Sequence, residues 1–192
     1  MIKAIIFDCF GVLFTNTQKI FFEKHQELFI NGINILYELN KEIDLGRMTQ
    51  LEFFKILEKE IGLPASQIQF EIEKECVADQ QLATLIRKLK SNYKIGLLSN
   101  AAEDEINVVY KDKLETLFDS IIVSYQIGIA KPDPKIFQAS IENLNVEFKD
   151  SLFIDDNQEN VDMANKLGMQ GFLYTDYDSF LKYLIKTGII DN

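Results

Sequence analysis

The sequence predicts an α/β fold, a parallel sheet flanked by helices, with a helical bundle inserted after the first strand. Three observations predict it. The first apolar run, Ala4-Ile5-Ile6-Phe7, is interrupted by nothing until a single carboxylate, Asp8, as expected of a parallel strand buried on both faces. From residue 79 onward, short apolar runs alternate with amphipathic segments, the pattern of strands joined by right-handed helical crossovers. Between the two, residues 17–78 are rich in Glu and Lys and carry helical periodicity instead.

Taken in order, Ile2 to Phe7 reads as the first strand. The helical stretch from about Thr17 to about Cys76 contains two capping-box patterns, Thr49-Gln50-Leu51-Glu52 and Ser66-Gln67-Ile68-Gln69. Gly62-Leu63-Pro64 separates the helices these would start. A helix over Gln80 to Leu89 leads into the strand Lys94 to Leu98. Ser120 to Val123, Ser151 to Ile154 and Gly171 to Tyr174 follow as further strands. Asp133-Pro134 opens a helix with Asp as N-cap and Pro at its first position. The helix after Asp156 runs to Leu167-Gly168, where the glycine caps its end. The domain division is therefore 1–16 with 79–192 as the α/β core, and 17–78 as the inserted unit.

The chain of 192 residues is 47% hydrophobic and 26% charged, ordinary for a globular protein with a proper core. Its net charge of −10 and scattered basic residues argue against nucleic-acid binding, which draws on basic patches. The N-terminal apolar run is too short for a signal peptide, and no stretch approaches a membrane span. Cys9 and Cys76 show no disulfide framework. A cytoplasmic location without membrane or nucleic-acid partners is expected. Cys9 reads as a small packing residue and His25, the only histidine, as a surface residue.

Polar residues recur where the strands end. Asp8 follows the first strand, Ser99-Asn100 the second, and Asp155-Asp156-Asn157 the fourth. Lys131 lies in the loop after the third, Gly128-Ile129-Ala130-Lys131-Pro132-Asp133-Pro134. Each alone could be a turn residue. In a parallel sheet, however, these ends share one edge, where open α/β sheets bind ligands. Asp8, Asp155 and Asp156 together with the single cation Lys131 would leave a negative excess that raises carboxylate pKa values and repels anions. A divalent cation removes that excess, and hard oxygen ligands suit Mg²⁺. With His25 placed in a polar helical stretch, a serine–histidine triad is excluded.

With these residues in place, the chain resembles the haloacid dehalogenase (HAD) superfamily, in particular the subfamily with a helical cap inserted after its first motif. The motifs carrying the likeness are Phe7-Asp8-Cys9-Phe10-Gly11-Val12-Leu13, Leu97-Leu98-Ser99-Asn100, Gly128 to Pro134, and Phe153-Ile154-Asp155-Asp156-Asn157, continued by Asn160, Ala164, Leu167 and Gly168. The resemblance implies a Rossmann-like core and a phosphatase acting on a small phosphorylated metabolite. It implies Asp8 as nucleophile, forming an aspartyl-phosphate. Ser99, Asn100 and Lys131 would bind the phosphoryl group, helped by backbone N–H groups at the next helix N-terminus. Mg²⁺ would be held by Asp8, Asp156, the Phe10 carbonyl and, as support or through water, Asp155. Residues 17–78 would be the cap that excludes water and selects substrate.

Phe10 departs from the pattern. The family's phosphatases usually carry a second aspartate there, which protonates the leaving oxygen and then activates water. Phenylalanine does neither. Without that group, turnover should depend steeply on leaving-group pKa, unless another residue or the substrate supplies the proton. Two alternatives follow: a 2-haloacid dehalogenase, which carries an aromatic residue at this position, and a non-catalytic member that binds a phospho-ligand or protein. In the inserted segment, Phe53, Phe54, Ile56 and Leu57 are spaced for packing, and Asp44-Leu45-Gly46-Arg47 reads as a turn with a solvated arginine.

Overall fold

The computed structural model describes residues 1–29, 34–111 and 113–191. Five strands, β1 (Ala4–Phe7), β2 (Lys94–Ser99), β3 (Ser120–Val123), β4 (Ser151–Asp155) and β5 (Gln170–Leu173), form one parallel sheet in the order β3-β2-β1-β4-β5. The chain winds outward from β1 to β3, then returns to pair β4 on the other side of β1. The crevice at the C-terminal ends of β1 and β4 is therefore the topological switch point.

The uninterrupted apolar character of β1 has a direct structural cause. Ile5 and Phe7 join the core on one face, with Leu82 and Ile86 of helix α5 (Gln80–Leu89) and Ile106 of α6 (Glu103–Lys111). Ala4 and Ile6 join the other, with Ile136, Phe137 and Ile141 of α8 (Pro134–Leu144) and Ala164 of α9 (Gln158–Lys166). All four β1 side chains are fully buried. Gly96 in β2 lets α8 approach, since a Cβ there would lie 2.9 Å from Leu144 Cδ1. A last helix, α10 (Tyr177–Lys186), was not read from the sequence. It is started by Asp176, whose carboxylate accepts from the Ser179 N–H, and it seals the first face with Phe180 and Leu184.

Between β1 and α5 lie α1 (Thr17–His25), α2 (Asn34–Asp44), α3 (Gln50–Ile61) and α4 (Ala65–Glu73). They bury a core of their own, centred on Phe53, Leu57 and Ile68. Two chain segments join this unit to the sheet and run side by side. Thr15 N–H donates to Val77 O at 3.1 Å, and Asp79 N–H to Leu13 O at 2.8 Å. The Thr49 capping box forms as expected, with the Glu52 N–H donating to Thr49 Oγ1 and the Thr49 N–H to Glu52 Oε2. Gly62, at φ +74°, ends α3.

Two local expectations are corrected. The Ser66 capping box does not form, because α4 starts immediately after Pro64, whose carbonyl accepts from the Gln67 and Ile68 N–H groups. Ser66 thus lies inside the first turn rather than before it. His25 is half-buried, not a free surface residue: its Nε2 lies 3.0 Å from Glu71 Oε2, linking α1 to α4, and its ring packs against Phe21. Cys9 is fully buried in the sheet core, which pushes its thiol well above the ordinary range and suits packing rather than nucleophilic chemistry. Among the described residues no helix is long and apolar enough to cross a membrane.

Candidate active site

Asp8 is fixed where β1 ends, its N–H donating to Ile154 O of β4 at 2.8 Å. Lys131 reaches it from the loop after β3: its Nζ lies 2.6 Å from Asp8 Oδ1 and 2.7 Å from Asp155 Oδ2. The ammonium is 1% exposed and the Asp155 side chain 0%, so both charges depend on each other. Burial pulls the Lys131 ammonium down, but the Asp155 and Asp8 carboxylates outweigh it and hold the group well above its ordinary range. Asp155 has little capacity left. Besides Lys131 it accepts from the Asn157 N–H at 2.9 Å, and the Asn160 amide donates to both its oxygens at 3.1 Å.

Asp156 is aimed differently. Its carboxylate lies over the backbone of Gly11, where an added Cβ would meet Asp156 Oδ2 at 2.3 Å. Gly11 has φ +96°, so both conformation and contact require glycine. Asp8, Asp155 and Asp156 each offer an oxygen within 4.8 Å of the others. Burial raises Asp8 to about 7, opposed by Lys131 and reinforced by Asp155 and Asp156. Asp156 is raised as well, by burial and then by Asp155. Three carboxylates against one ammonium fit a divalent cation, with Asp8 and Asp156 the members whose oxygens are not saturated. Phe10, two residues past Asp8, lines the same space and packs its ring 6.2 Å from that of Phe14.

The expected phosphoryl-binding groups are arranged less simply. Lys131 is on the cavity wall and so is Asn100, but the Asn100 amide is engaged: its Nδ2 donates to Lys131 O and its Oδ1 accepts from Lys131 N–H, at 3.0 and 2.8 Å. Asn100 thereby positions Lys131. Ser99 is not brought to the wall. It belongs to β2, is fully buried, and points its hydroxyl toward Asn100 O at 3.4 Å. Of the N–H groups leading into α6, Ala101 donates to Ser124 Oγ and Ala102 to Glu105 Oε2, so these two are not a vacant anion cradle.

The cavity measures about 700 Å³ and lies between the strand ends and the helical unit. Eight carboxylates line it (Asp8, Glu23, Asp44, Glu73, Asp104, Glu105, Asp155, Asp156) against the three lysines Lys19, Lys111 and Lys131. Several of these are absent from the strand-end reading. Gln18 of α1 donates to Glu105 of α6, tying the helical unit to the core. Asp44, the last residue of α2, enters the cavity, while Arg47 of the same turn stays 59% exposed and pairs with Glu42. Burial pushes the Asp44 carboxyl up to about 8, with Glu105 adding and Lys131 opposing. The one sequence signal for it was the Asp44–Arg47 turn, whose local chemistry needs no ligand.

The haloacid dehalogenase-like hydrolase family matches residues 2–168. The chain is 29% identical over 179 residues to the sesquiterpene phosphatase astK of Aspergillus oryzae, covering 91% of this chain and 90% of that protein. It is also 29% identical over 193 residues to a D-ribitol-5-phosphate phosphatase of Bacteroides thetaiotaomicron, covering 90% and 91%. A wild-type HAD family enzyme of the same organism, solved with magnesium and inorganic phosphate, superposes with a TM-score of 0.71 at 27% identity, covering 94% of this chain and 99% of that one.

Proposed function

The chain belongs to the haloacid dehalogenase-like hydrolases, and from that premise we propose that it is a Mg²⁺-dependent phosphatase of small phosphorylated metabolites working through Asp8. The observation that carries this reading is the Lys131 bridge between Asp8 and Asp155, with Asp156 held against Gly11 beside it. Asp8 attacks phosphorus and Lys131 neutralises both the nucleophile and the transferring group. Asn160 and Asn157 hold Asp155, and Asp155 holds Lys131, so the ammonium cannot swing away as charge moves. Asp8, Asp156 and the Phe10 carbonyl would hold Mg²⁺, with Asp155 behind them. The bound ion would neutralise the carboxylate excess and polarise a phosphoryl oxygen. Ser99 would contribute only by turning its hydroxyl from Asn100 O toward the cavity.

Residues 17–78 serve as the cap over this site, joined to the 1–16 and 79–192 core by the paired segments at Thr15 and Asp79. The acidic wall disfavours substrates with a second anionic group. A polyol or terpenoid skeleton, as in the names of the two relatives, brings no such charge. The same reading places the protein in the cytoplasm. Phe10 favours a second reading, a 2-haloacid dehalogenase, but a haloacid carboxylate would face Asp155 and Asp156.

A panel of phosphate monoesters and 2-haloacids, assayed with Mg²⁺ and with chelator, separates these. Metal-dependent phosphate release that disappears in Asp8→Asn is expected. Metal-independent halide release would transfer the assignment to the dehalogenase. Binding of a phosphate ester without turnover would indicate a non-catalytic member.

A further inference from the structure

Phe10 leaves the nucleophile's own loop without a proton donor, so any acid must come from elsewhere on the cavity wall. We infer that Asp44, delivered by the C-terminal end of α2, is the acid/base of this active site, replacing the carboxylate that Phe10 displaces. The inference rests on the phosphatase reading above.

Elimination on the cavity wall leads to it. Asp8, Asp155 and Asp156 are committed to phosphorus, Lys131 and the metal. Glu105 has one oxygen on the Ala102 N–H and the other on the Gln18 amide. Glu23, Glu73 and Asp104 are solvent-exposed. Asp44 remains. It is on the wall with Asp8 and Lys131, and no donor among the described residues hydrogen-bonds its carboxylate.

Independent features of α2 support the assignment. Asn40 lies one turn earlier on the same helix face, and it too lines the cavity. Its Oδ1 is buried without a hydrogen-bond partner, a polar group left unsatisfied in the wall beside Asp44. Asp44 also closes α2, where the negative end of the helix favours a retained proton. Burial first, and then the Glu105 carboxylate of α6, raise its carboxyl, with the Lys131 ammonium opposing them.

The chemistry balances in two steps. Asp8 attacks phosphorus, the bond from phosphorus to the leaving oxygen breaks, and the Asp44 proton passes to that oxygen. The Asp44 carboxylate then takes a proton from water as the water oxygen attacks phosphorus. The bond to Asp8 breaks, releasing phosphate and restoring both side chains.

The test compares phenyl phosphate with 4-nitrophenyl phosphate, whose leaving oxygen scarcely needs a proton, in the native protein and in Asp44→Asn with Mg²⁺ present. Acid/base assistance is commonly worth about 10²–10⁴-fold. In Asp44→Asn, kcat/KM for phenyl phosphate should therefore fall about 10²-fold further than that for 4-nitrophenyl phosphate. The variant should also release one equivalent of nitrophenol in a burst, because the second step has lost its base. Equal loss on both esters, or no loss on either, would overturn the assignment while leaving the phosphatase reading intact. A native protein inactive on both esters would overturn the phosphatase reading itself, and this assignment with it.

Discussion

Replacing Lys131 with methionine keeps its stem and removes its charge, and the structure fixes how large the effect should be. The ammonium lies 2.6 Å from Asp8 and 2.7 Å from Asp155, all three side chains being at least nine-tenths buried. Removing one partner of such a set leaves uncompensated charge and typically costs about 3–5 kcal/mol. Protonation provides an escape. Neutralising a carboxyl of unfolded pKa ~3.9 at pH 7 costs about 4 kcal/mol, at 1.36 kcal/mol per unit, which caps the loss. Asp8, already raised to about 7 without metal, adds little.

The expected loss in chelator at pH 7 is thus about 3 kcal/mol. Its pH dependence has a definite sign. In Lys131→Met the folded carboxyls bind protons more tightly than the unfolded ones, so stability rises as pH falls from 7 toward 4. At pH 5 the cap shrinks to about 1.5 kcal/mol. Urea unfolding followed by circular dichroism measures both, the chain having no tryptophan to report by fluorescence. A loss under about 1 kcal/mol at pH 7, or one equal at the two pH values, would refute a charge-coupled Asp8–Lys131–Asp155 set.

Gly11→Ala should abolish the thermal shift produced by Mg²⁺, since its Cβ would sit 2.3 Å from Asp156 Oδ2. It should also cost about 1–2 kcal/mol in chelator through its φ of +96°; a native-like Mg²⁺ response in calorimetry would remove Asp156 from the metal site. In the helical unit, Glu71 is held near pKa 2 chiefly by Lys24, then by His25 and Gln67. A depressed carboxyl contributes stability that is present above its unfolded pKa and lost as pH falls toward 2. Glu71→Gln should therefore cost about 1 kcal/mol or less at pH 7, with the difference from the native protein vanishing near pH 2. A difference that persists unchanged in acid denaturation curves would contradict the pairing.

The site was legible wherever one strand's pattern dictates its own end. Buried parallel strands are apolar throughout, so the first polar residue marks the sheet edge, and Asp8, Asp155, Asp156 and Lys131 meet there. Contacts set by how one unit lies over another left no such trace. Asp44 sits in a turn that Gly46 explains by itself, and Glu71 holds His25 from a different helix. Ser99 shows the limit within the core: it ends β2 fully buried, with its hydroxyl directed to Asn100 O rather than to the cavity.

That division has a chemical consequence. The residues legible at the sheet edge are those that the proposed mechanism assigns to phosphorus, a group common to every phosphate ester. The residues that were not legible, Asn40 and Asp44, lie four apart on a helix of the inserted unit and line the same cavity from its other side. If Asp44 is the proton donor, chemistry and selection are coupled through one helix. A substrate poorly placed against α2 would lose both its acid and its contacts, so discrimination would appear in kcat as well as in KM. Phe10 fits this arrangement. An acid on the Asp8 loop would protonate any leaving group that reached it, whereas a phenyl ring there leaves the proton with the unit that reads the substrate.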